Sequence, residues 1–255
     1  MAFEPINTES VSRAVRSQIE GLILRGVLRP GEKLPSEREM ASRLNVSRPS
    51  LREALVELEQ VGLIETRPNS GARVAQVLGS IFTKPLLELF ATHDEALFDY
   101  IAFRREVEGL AAFRAASEGS DADLAVIDAN FQRMQAAHAK RNPDQESSLD
   151  VDFHMSIVEA AHNVVMLHVM RSMLEMLRAG IFYNRQLLFQ VKATRNELLD
   201  QHCAINVAIQ ARDAVAAQGA VADHLNFIEK ALHQHIRQKR NEVIAYQRLE
   251  FDRSR

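Results

Sequence analysis

The 255-residue sequence predicts a mainly α-helical protein built from two domains. Long segments repeat apolar residues at helical spacing, and the chain has only 10 glycines and 7 prolines and no tryptophan. Only one short stretch, "LIETR" to "ARVAQV", carries the signals of a β-hairpin. We expect a first domain at residues 1–76, with three helices and the hairpin, and a second at residues 77–255, an all-α bundle of about seven helices.

The helices of the first domain are marked by capping residues. Ser36 precedes Glu39 in a Ser-x-x-Glu capping-box pattern, and Ser47 is followed by Pro49 at an early helical position. The first helix follows either Thr8 or Ser10. These signals predict helices over residues 8–26, 36–45 and 47–62. "VLRPGEKL" between the first two is predicted as a loop or an edge strand, and "PNSG" as the turn of the hairpin.

The second domain lacks further hairpin signals and is rich in Ala, Leu and Met at helical spacing. Turn signals such as "SEGSD", "RNPDQ" and "AHN" separate the helical segments. Helices are predicted over residues 82–91, 94–118, 121–141, 145–161, 164–189, 191–212 and 214–245, and the tail "RLEFDRSR" is expected to fray.

Two short helices joined by "NVS" predict a helix-turn-helix, in which the start of the second helix enters the major groove of DNA. Ser47, Arg48, Ser50 and Arg52 occupy that start. Arg48 and Arg52 are four residues apart and share a helix face, and an arginine fork fits guanine O6 and N7. The serines are short enough to approach the phosphates. The alternative is that these arginines form an ordinary solvated face.

The stretch "PGEKLPSEREMASRLNVSRPSLREALVELEQVGLIETRPNSGARV" closely resembles the winged helix-turn-helix domain of GntR-family bacterial transcription regulators. The resemblance covers roughly residues 8–75 and implies a protein that binds double-stranded operator DNA. We expect a homodimeric repressor of transcription, with an activator as the alternative. It implies that Arg38, Arg48, Arg52 and the wing residue Gly71 touch that DNA. The wing departs from the family pattern, because "PNSG" stands where many relatives carry a run of glycines.

In the second domain, "LDVDFH" places Asp150 and His154 four residues apart on one helix face, where both can reach one metal ion. His202 and His224 lie on separate predicted helices. Spacing alone leaves two interpretations open, a metal site or an exposed acidic and imidazole face. Four histidines without such company are expected at the surface, His93, His138, His233 and His235, while His162 and His168 stay undecided.

The pattern of Asp150, His154, His202 and His224 looks like the helical ligand-binding (FCD-type) domain of the FadR branch of the GntR family. That resemblance implies that these four residues bind a divalent metal, zinc first, with nickel or manganese as alternatives. It also implies that Arg104 faces the same cavity and holds a small organic acid as effector. The alternative for Arg104 is a surface ion pair with Glu108, and Arg105 is its substitute if the helix phase differs. Asn184 and Arg185 are further pocket candidates.

Composition limits the remaining function classes. The net charge is -3, and a single cysteine, Cys203, rules out a disulfide within the chain. No run of about 18 apolar residues and no signal-like start occur, so we expect a cytoplasmic protein without a membrane partner. The sequence has no His-Glu-x-x-His, Gly-rich phosphate loop or Gly-x-Ser-x-Gly, which disfavours a metalloenzyme fused to a DNA-binding module. A bundle that only dimerises around a structural metal stays open.

Overall fold

The computed structural model describes residues 10–67, 71–75, 83–178 and 192–253. Within these residues it contains ten α-helices and one two-stranded antiparallel sheet, which confirms the mainly α fold class. The chain divides into two compact units between residues 81 and 82. The domain boundary expected at residue 76 lies outside the described residues and stays a prediction. None of the helices in the described ranges has the length and hydropathy that a membrane span requires.

The first unit consists of three helices followed by a hairpin. Its elements are α1 (Val11–Leu24), α2 (Glu37–Leu44), α3 (Arg48–Gln60), β1 (Ile64–Arg67) and β2 (Gly71–Val74). The hydroxyls of Ser10, Ser36 and Ser47 each accept a hydrogen bond from the backbone N–H three residues later, at 3.2–3.3 Å. These caps satisfy N–H groups that have no partner inside the helix, which is why each helix begins there.

The turn between α2 and α3 is tight. Asn45 adopts the left-handed conformation, with φ of 51°, and ends α2. Asparagine tolerates that conformation better than most residues, so α3 can begin three residues later. One face of each helix is buried in a common core that includes Ile19, Met40, Leu51 and Leu58.

In the hairpin, Ile64 pairs with Val74 and Arg67 with Gly71. The segment "VLRPGEKL" joins this sheet through a single bridge between Lys33 and Arg73, with hydrogen bonds from Leu34 N–H to Ala72 O and from Gly31 N–H to Val74 O. The segment is therefore a loop that runs along β2 over residues 31–34 and forms one bridge with it. The turn residues 68–70 lie outside the described residues.

The second unit is a helical bundle with seven helices in its described residues. They are α4 (Lys84–Thr92), α5 (Asp94–Glu118), α6 (Asp121–Ala139), α7 (Pro143–Ala160), α8 (Val164–Arg178), α9 (Lys192–Gln210) and α10 (Ala214–Arg253). All seven helices contribute to one apolar core, α4 through partly buried side chains that pack against it. At Gly109 a Cβ would lie 3.5 Å from Gln218 Cγ, so α5 and α10 pack closely there.

One helix end differs from the prediction, and another falls beyond the described residues. The expected fraying of "RLEFDRSR" is wrong for most of that tail, because α10 continues to Arg253. The physical reason is that no proline follows Ala214 and no glycine follows Gly219, so nothing stops the helix. The predicted helix at 164–189 is described only to Arg178, and Asn184 and Arg185 lie outside the described residues.

Candidate functional site

The start of α3 presents polar side chains on the outside of the first unit. Arg48 and Arg52 are exposed, whereas Leu51 and Leu55 of the same helix are buried in the core. Ser47 Oγ and Ser50 Oγ lie 2.8 Å apart, and Ser47 also caps the helix. The four residues predicted at this position thus lie together on one turn and a half of helix, with their functional atoms outside the core.

Arg38 and Gly71 are the two other residues predicted to contact DNA. Arg38 is exposed on the first turn of α2. Gly71 begins β2 with φ of 80°. Other residues rarely adopt this conformation, which explains why a glycine stands at this position. Arg52 Nη2 lies 2.7 Å from Glu37 Oε2, so α2 orients this arginine through an exposed ion pair.

The second unit contains a buried group of four potential metal ligands. Asp150 and His154 come from α7, His202 from α9 and His224 from α10, and one donor atom from each lies within 4.8 Å of all the others. All four residues are at most 1% exposed. Asp150 and His154 share a face of α7 because they are four residues apart, which is the spacing used in the sequence prediction.

The distances within this group suit one ion. His154 Nε2 and His202 Nε2 are 3.2 Å apart, and His202 Nε2 lies 3.0 Å from Asp150 Oδ1. Neighbouring donors that bind one metal at about 2.1 Å are separated by about 3.0–3.4 Å. Three imidazole nitrogens and one carboxylate form a donor set typical of zinc, and such a set is costly to bury without a cation. The residues therefore fit a divalent metal.

Two of the imidazoles are held at their other nitrogen. His154 Nδ1 lies 2.7 Å from Glu108 Oε2, and His224 Nδ1 lies 3.0 Å from Gln201 Oε1. In both rings Nδ1 is therefore occupied, and Nε2 is the nitrogen that can face the centre of the group. Burial by itself would raise the pKa of Glu108, but the Arg104 guanidinium and the His154 imidazole outweigh it and lower this pKa to about 2. Glu108 is therefore an anion inside the bundle.

Arg104 lies four residues before Glu108 on α5 and contacts its carboxylate. Its Nε donates to Glu108 Oε1 at 2.5 Å and its Nη2 to Oε2 at 3.3 Å, and the side chains are 0% and 2% exposed. The Arg104–Glu108 ion pair, the alternative to an effector role for Arg104, exists, but both partners are buried, so it is not a surface pair. Arg105, the predicted substitute, contacts Asn226 and Glu229 instead, away from the metal group.

The other histidines lie outside the group. His93, His162, His233 and His235 are exposed. The expectation that His138 is a simple surface residue is wrong, because its side chain is 21% exposed and its Nδ1 lies 3.3 Å from the buried Glu146. Sequence analysis missed the roles of Glu108 and Gln201, whose partners are 46 and 23 residues away in the chain.

A winged helix-turn-helix unit combined with a helical unit that contains a buried group of potential metal ligands is typical of a ligand-responsive transcription regulator. Residues 11–74 match the family described as "Bacterial regulatory proteins, gntR family", and residues 99–227 match the FCD domain. The chain belongs to the GntR family of bacterial transcription regulators, which bind operator DNA, and it carries an FCD domain; it is a regulator and not an enzyme.

Similar proteins agree with this assignment. The chain is 34% identical over 227 residues to the Glc operon transcriptional activator of Escherichia coli K12, covering 88% of this chain and 89% of that protein. It is 34% identical over 226 residues to the putative L-lactate dehydrogenase operon regulatory protein of the same organism, with coverages of 87% and 86%. Among solved structures, a GntR protein of Streptococcus agalactiae is similar in fold, with a TM-score of 0.51, 22% identity and coverages of 87% and 100%.

Proposed function

We propose that this regulator is a homodimeric repressor that senses a small organic acid through a divalent metal bound by Asp150, His154, His202 and His224. The observation that carries the proposal is the burial of these four donors around one point, at distances that suit one ion. Zinc fits the donor set best, and nickel and manganese are the alternatives. When bound, the metal supplies a Lewis acid with positions for the oxygens of a carboxylate.

Charge balance in the interior supports an anionic effector. Arg104 and Glu108 neutralise each other, and Asp150 balances one of the two charges of a divalent ion when the imidazoles are neutral. Among these described groups one positive charge then remains in a buried site, which is unfavourable without a counter-ion. A monocarboxylate supplies that counter-ion, and Arg104 is the buried cation that we propose holds its second oxygen.

The names of the relatives support a particular chemical class. One of them is named for the L-lactate dehydrogenase operon, and lactate is a small 2-hydroxy acid. A hydroxyl beside the carboxylate offers a second oxygen for the same ion. We therefore propose 2-hydroxy and 2-keto acids of two to four carbons as the effectors to test first.

On the DNA side, we propose that Ser47, Arg48, Ser50 and Arg52 read one operator half-site, with Arg38 and Gly71 in supporting contacts. Their exposure at the start of α3 supports this role. Two copies of the chain bind two half-sites, and the effector shifts the population between DNA-competent and incompetent arrangements of the dimer. A promoter-reporter assay with and without the active acid tests the repressor assignment.

The effector proposal is tested by thermal unfolding of the full chain with a panel of such acids, loaded with Zn²⁺ and again after chelation. An acid at one hundred times its dissociation constant adds about 2.7 kcal/mol, which shifts the melting temperature by a few degrees. We expect a shift with one acid that disappears without metal and in Arg104→Lys, which keeps the charge but loses the fork. Arg105→Lys is the matched control and should keep the shift. A shift that survives chelation would contradict the proposal.

A structural metal is the second candidate, because all four ligands are buried between helices. Chelation separates the two cases. A structural ion leaves an unfolded bundle when it is removed, whereas an effector-site ion leaves a folded protein that no longer responds to the acid.

A further inference from the structure

We propose that Glu108 is a positioning residue for the metal site, which fixes the His154 imidazole so that Nε2 points at the ion, and that Arg104 anchors Glu108 for this purpose. The inference rests on the proposed metal site and deepens it. It assigns a role to α5, which contributes none of the four metal ligands.

The contact between Glu108 and His154 determines which nitrogen carries the proton. A neutral imidazole has one N–H and one free lone pair. Arg104 donates to both oxygens of Glu108, so Oε2 is an acceptor for Nδ1 at 2.7 Å and the N–H is on Nδ1. The lone pair is then on Nε2, the atom that lies 3.2 Å from His202 Nε2 in the centre of the group. A carboxylate in this position also increases the basicity of the coordinating nitrogen.

Glu108 is itself held in place by Arg104. Both residues lie on α5, four apart, and both carboxylate oxygens receive a hydrogen bond from the guanidinium. Since the two side chains are fully buried, neither can relax into solvent. The carboxylate therefore presents Oε2 to His154 in one orientation, and α5 determines the rotation of a ring on α7.

His224 provides an internal comparison. Its Nδ1 lies 3.0 Å from Gln201 Oε1, an amide oxygen, on α9. A neutral acceptor fixes the ring but raises the basicity of the metal-facing nitrogen less than a carboxylate does. We therefore expect Glu108 to contribute more to metal affinity than Gln201 does.

The test measures Zn²⁺ affinity of the full chain by competition with a chromophoric chelator, without effector or DNA. The informative variant is Arg104→Met/Glu108→Leu, which removes both partners and leaves no buried unpaired charge. We expect a 10- to 100-fold loss of Zn²⁺ affinity. Glu108→Gln keeps an acceptor for Nδ1 but loses the charge, and its loss should be smaller. Glu106→Gln, an exposed position two residues away on the same helix, is the control and should bind as the unmodified protein does.

A second readout separates positioning from a general structural effect. Long-range ¹H–¹⁵N NMR of the metal-free chain reports the tautomer of each histidine. We expect His154 and His224 as Nδ1–H tautomers in the unmodified protein. In the double variant His154 alone should lose this fixed tautomer, while circular dichroism and the melting temperature of the metal-free chain stay unchanged.

The outcomes distinguish this inference from the proposed function. An unmodified protein that does not bind Zn²⁺ would overturn both. An unmodified protein that binds Zn²⁺, together with a folded double variant of equal affinity, would overturn only the positioning role. If the double variant does not fold, Glu108→Gln decides: a Zn²⁺ affinity identical to that of the unmodified protein would overturn the inference.

Discussion

The substitution Arg195→Met tests how much a buried ion pair stabilises the bundle. Arg195 on α9 donates from Nε to both oxygens of Glu146 on α7 at 2.7 Å, and from Nη2 to the backbone oxygen of His138. The Arg195 side chain is 10% exposed and that of Glu146 4%. Methionine replaces the apolar stem of arginine, so the main loss is electrostatic.

The magnitude follows from the carboxylate that remains. Breaking a buried pair by removing one partner costs about 3–5 kcal/mol, because the other charge is left in the interior. His138 Nδ1 stays 3.3 Å from Glu146 and offers one remaining donor, which places the expected loss near the lower end, about 3 kcal/mol. In Arg195→Met/Glu146→Leu no buried charge remains, and we expect a stability within about 1 kcal/mol of the unmodified protein.

The assay is urea unfolding followed by circular dichroism, with saturating Zn²⁺ and again after chelation. Both conditions are needed because Glu146 lies four residues before Asp150, so a change in metal binding would otherwise contribute to the difference. Arg133→Met is the control, since Arg133 is exposed on α6 and bonds only to the partly exposed side chain of Asn130 among its described contacts. A loss below about 1 kcal/mol for Arg195→Met, or an equal loss in the double variant, would refute the reasoning.

Three other substitutions test separate features of the chain. Arg48→Ala should weaken binding to a specific operator by about 1–3 kcal/mol if this side chain reads a base, measured by fluorescence anisotropy; equal affinity would exclude that contact. Tyr100→Phe removes the buried bond from the hydroxyl to Met173 O, 3.0 Å long, and should lower the free energy of unfolding by about 1 kcal/mol; an unchanged urea midpoint would contradict this. Partial burial alone would raise the pKa of Asp123, but hydrogen bonds from Ser120 outweigh it, and the net effect is a lowered pKa. The carboxylate therefore stabilises the fold above its unfolded pKa of about 4, and this stabilisation is lost as the pH falls further. Asp123→Ala should therefore cost on the order of 0.5 kcal/mol at pH 7 and less near pH 3, and a loss that does not depend on pH would argue against the assignment.

Local signals predicted the helices of the first unit well. Ser36 and Ser47 cap α2 and α3 as expected, and Asn45 ends α2 in the left-handed conformation. These features depend on residues within four positions of one another, so the sequence contains all of the information. The last helix was predicted less well, because it continues through an exposed tail where burial gives no pattern to follow.

The metal group could be predicted only in part from spacing. The sequence shows directly that Asp150 and His154 share a helix face. His202 and His224 could be assigned to the same group only because of the resemblance to a family. The Arg104 and Glu108 pair has the same spacing whether it lies at a surface or in a core. Its burial depends on how α5 packs against the helices around it, which no short stretch of sequence encodes. The contact of Glu108 with His154 has the same origin.

The position of Glu108 also constrains how metal and effector affect each other. Arg104 is the proposed effector residue and at the same time the partner of Glu108, which contacts His154, a proposed metal ligand. An effector carboxylate that takes a hydrogen bond from Arg104 therefore changes the environment of Glu108, and through it the affinity of His154 for the metal. Linkage requires the factor to be equal in both directions, so the metal must change effector affinity by the same ratio as the effector changes metal affinity. In Arg104→Met/Glu108→Leu this route is missing, and any coupling that remains must come from direct contact between the effector and the ion.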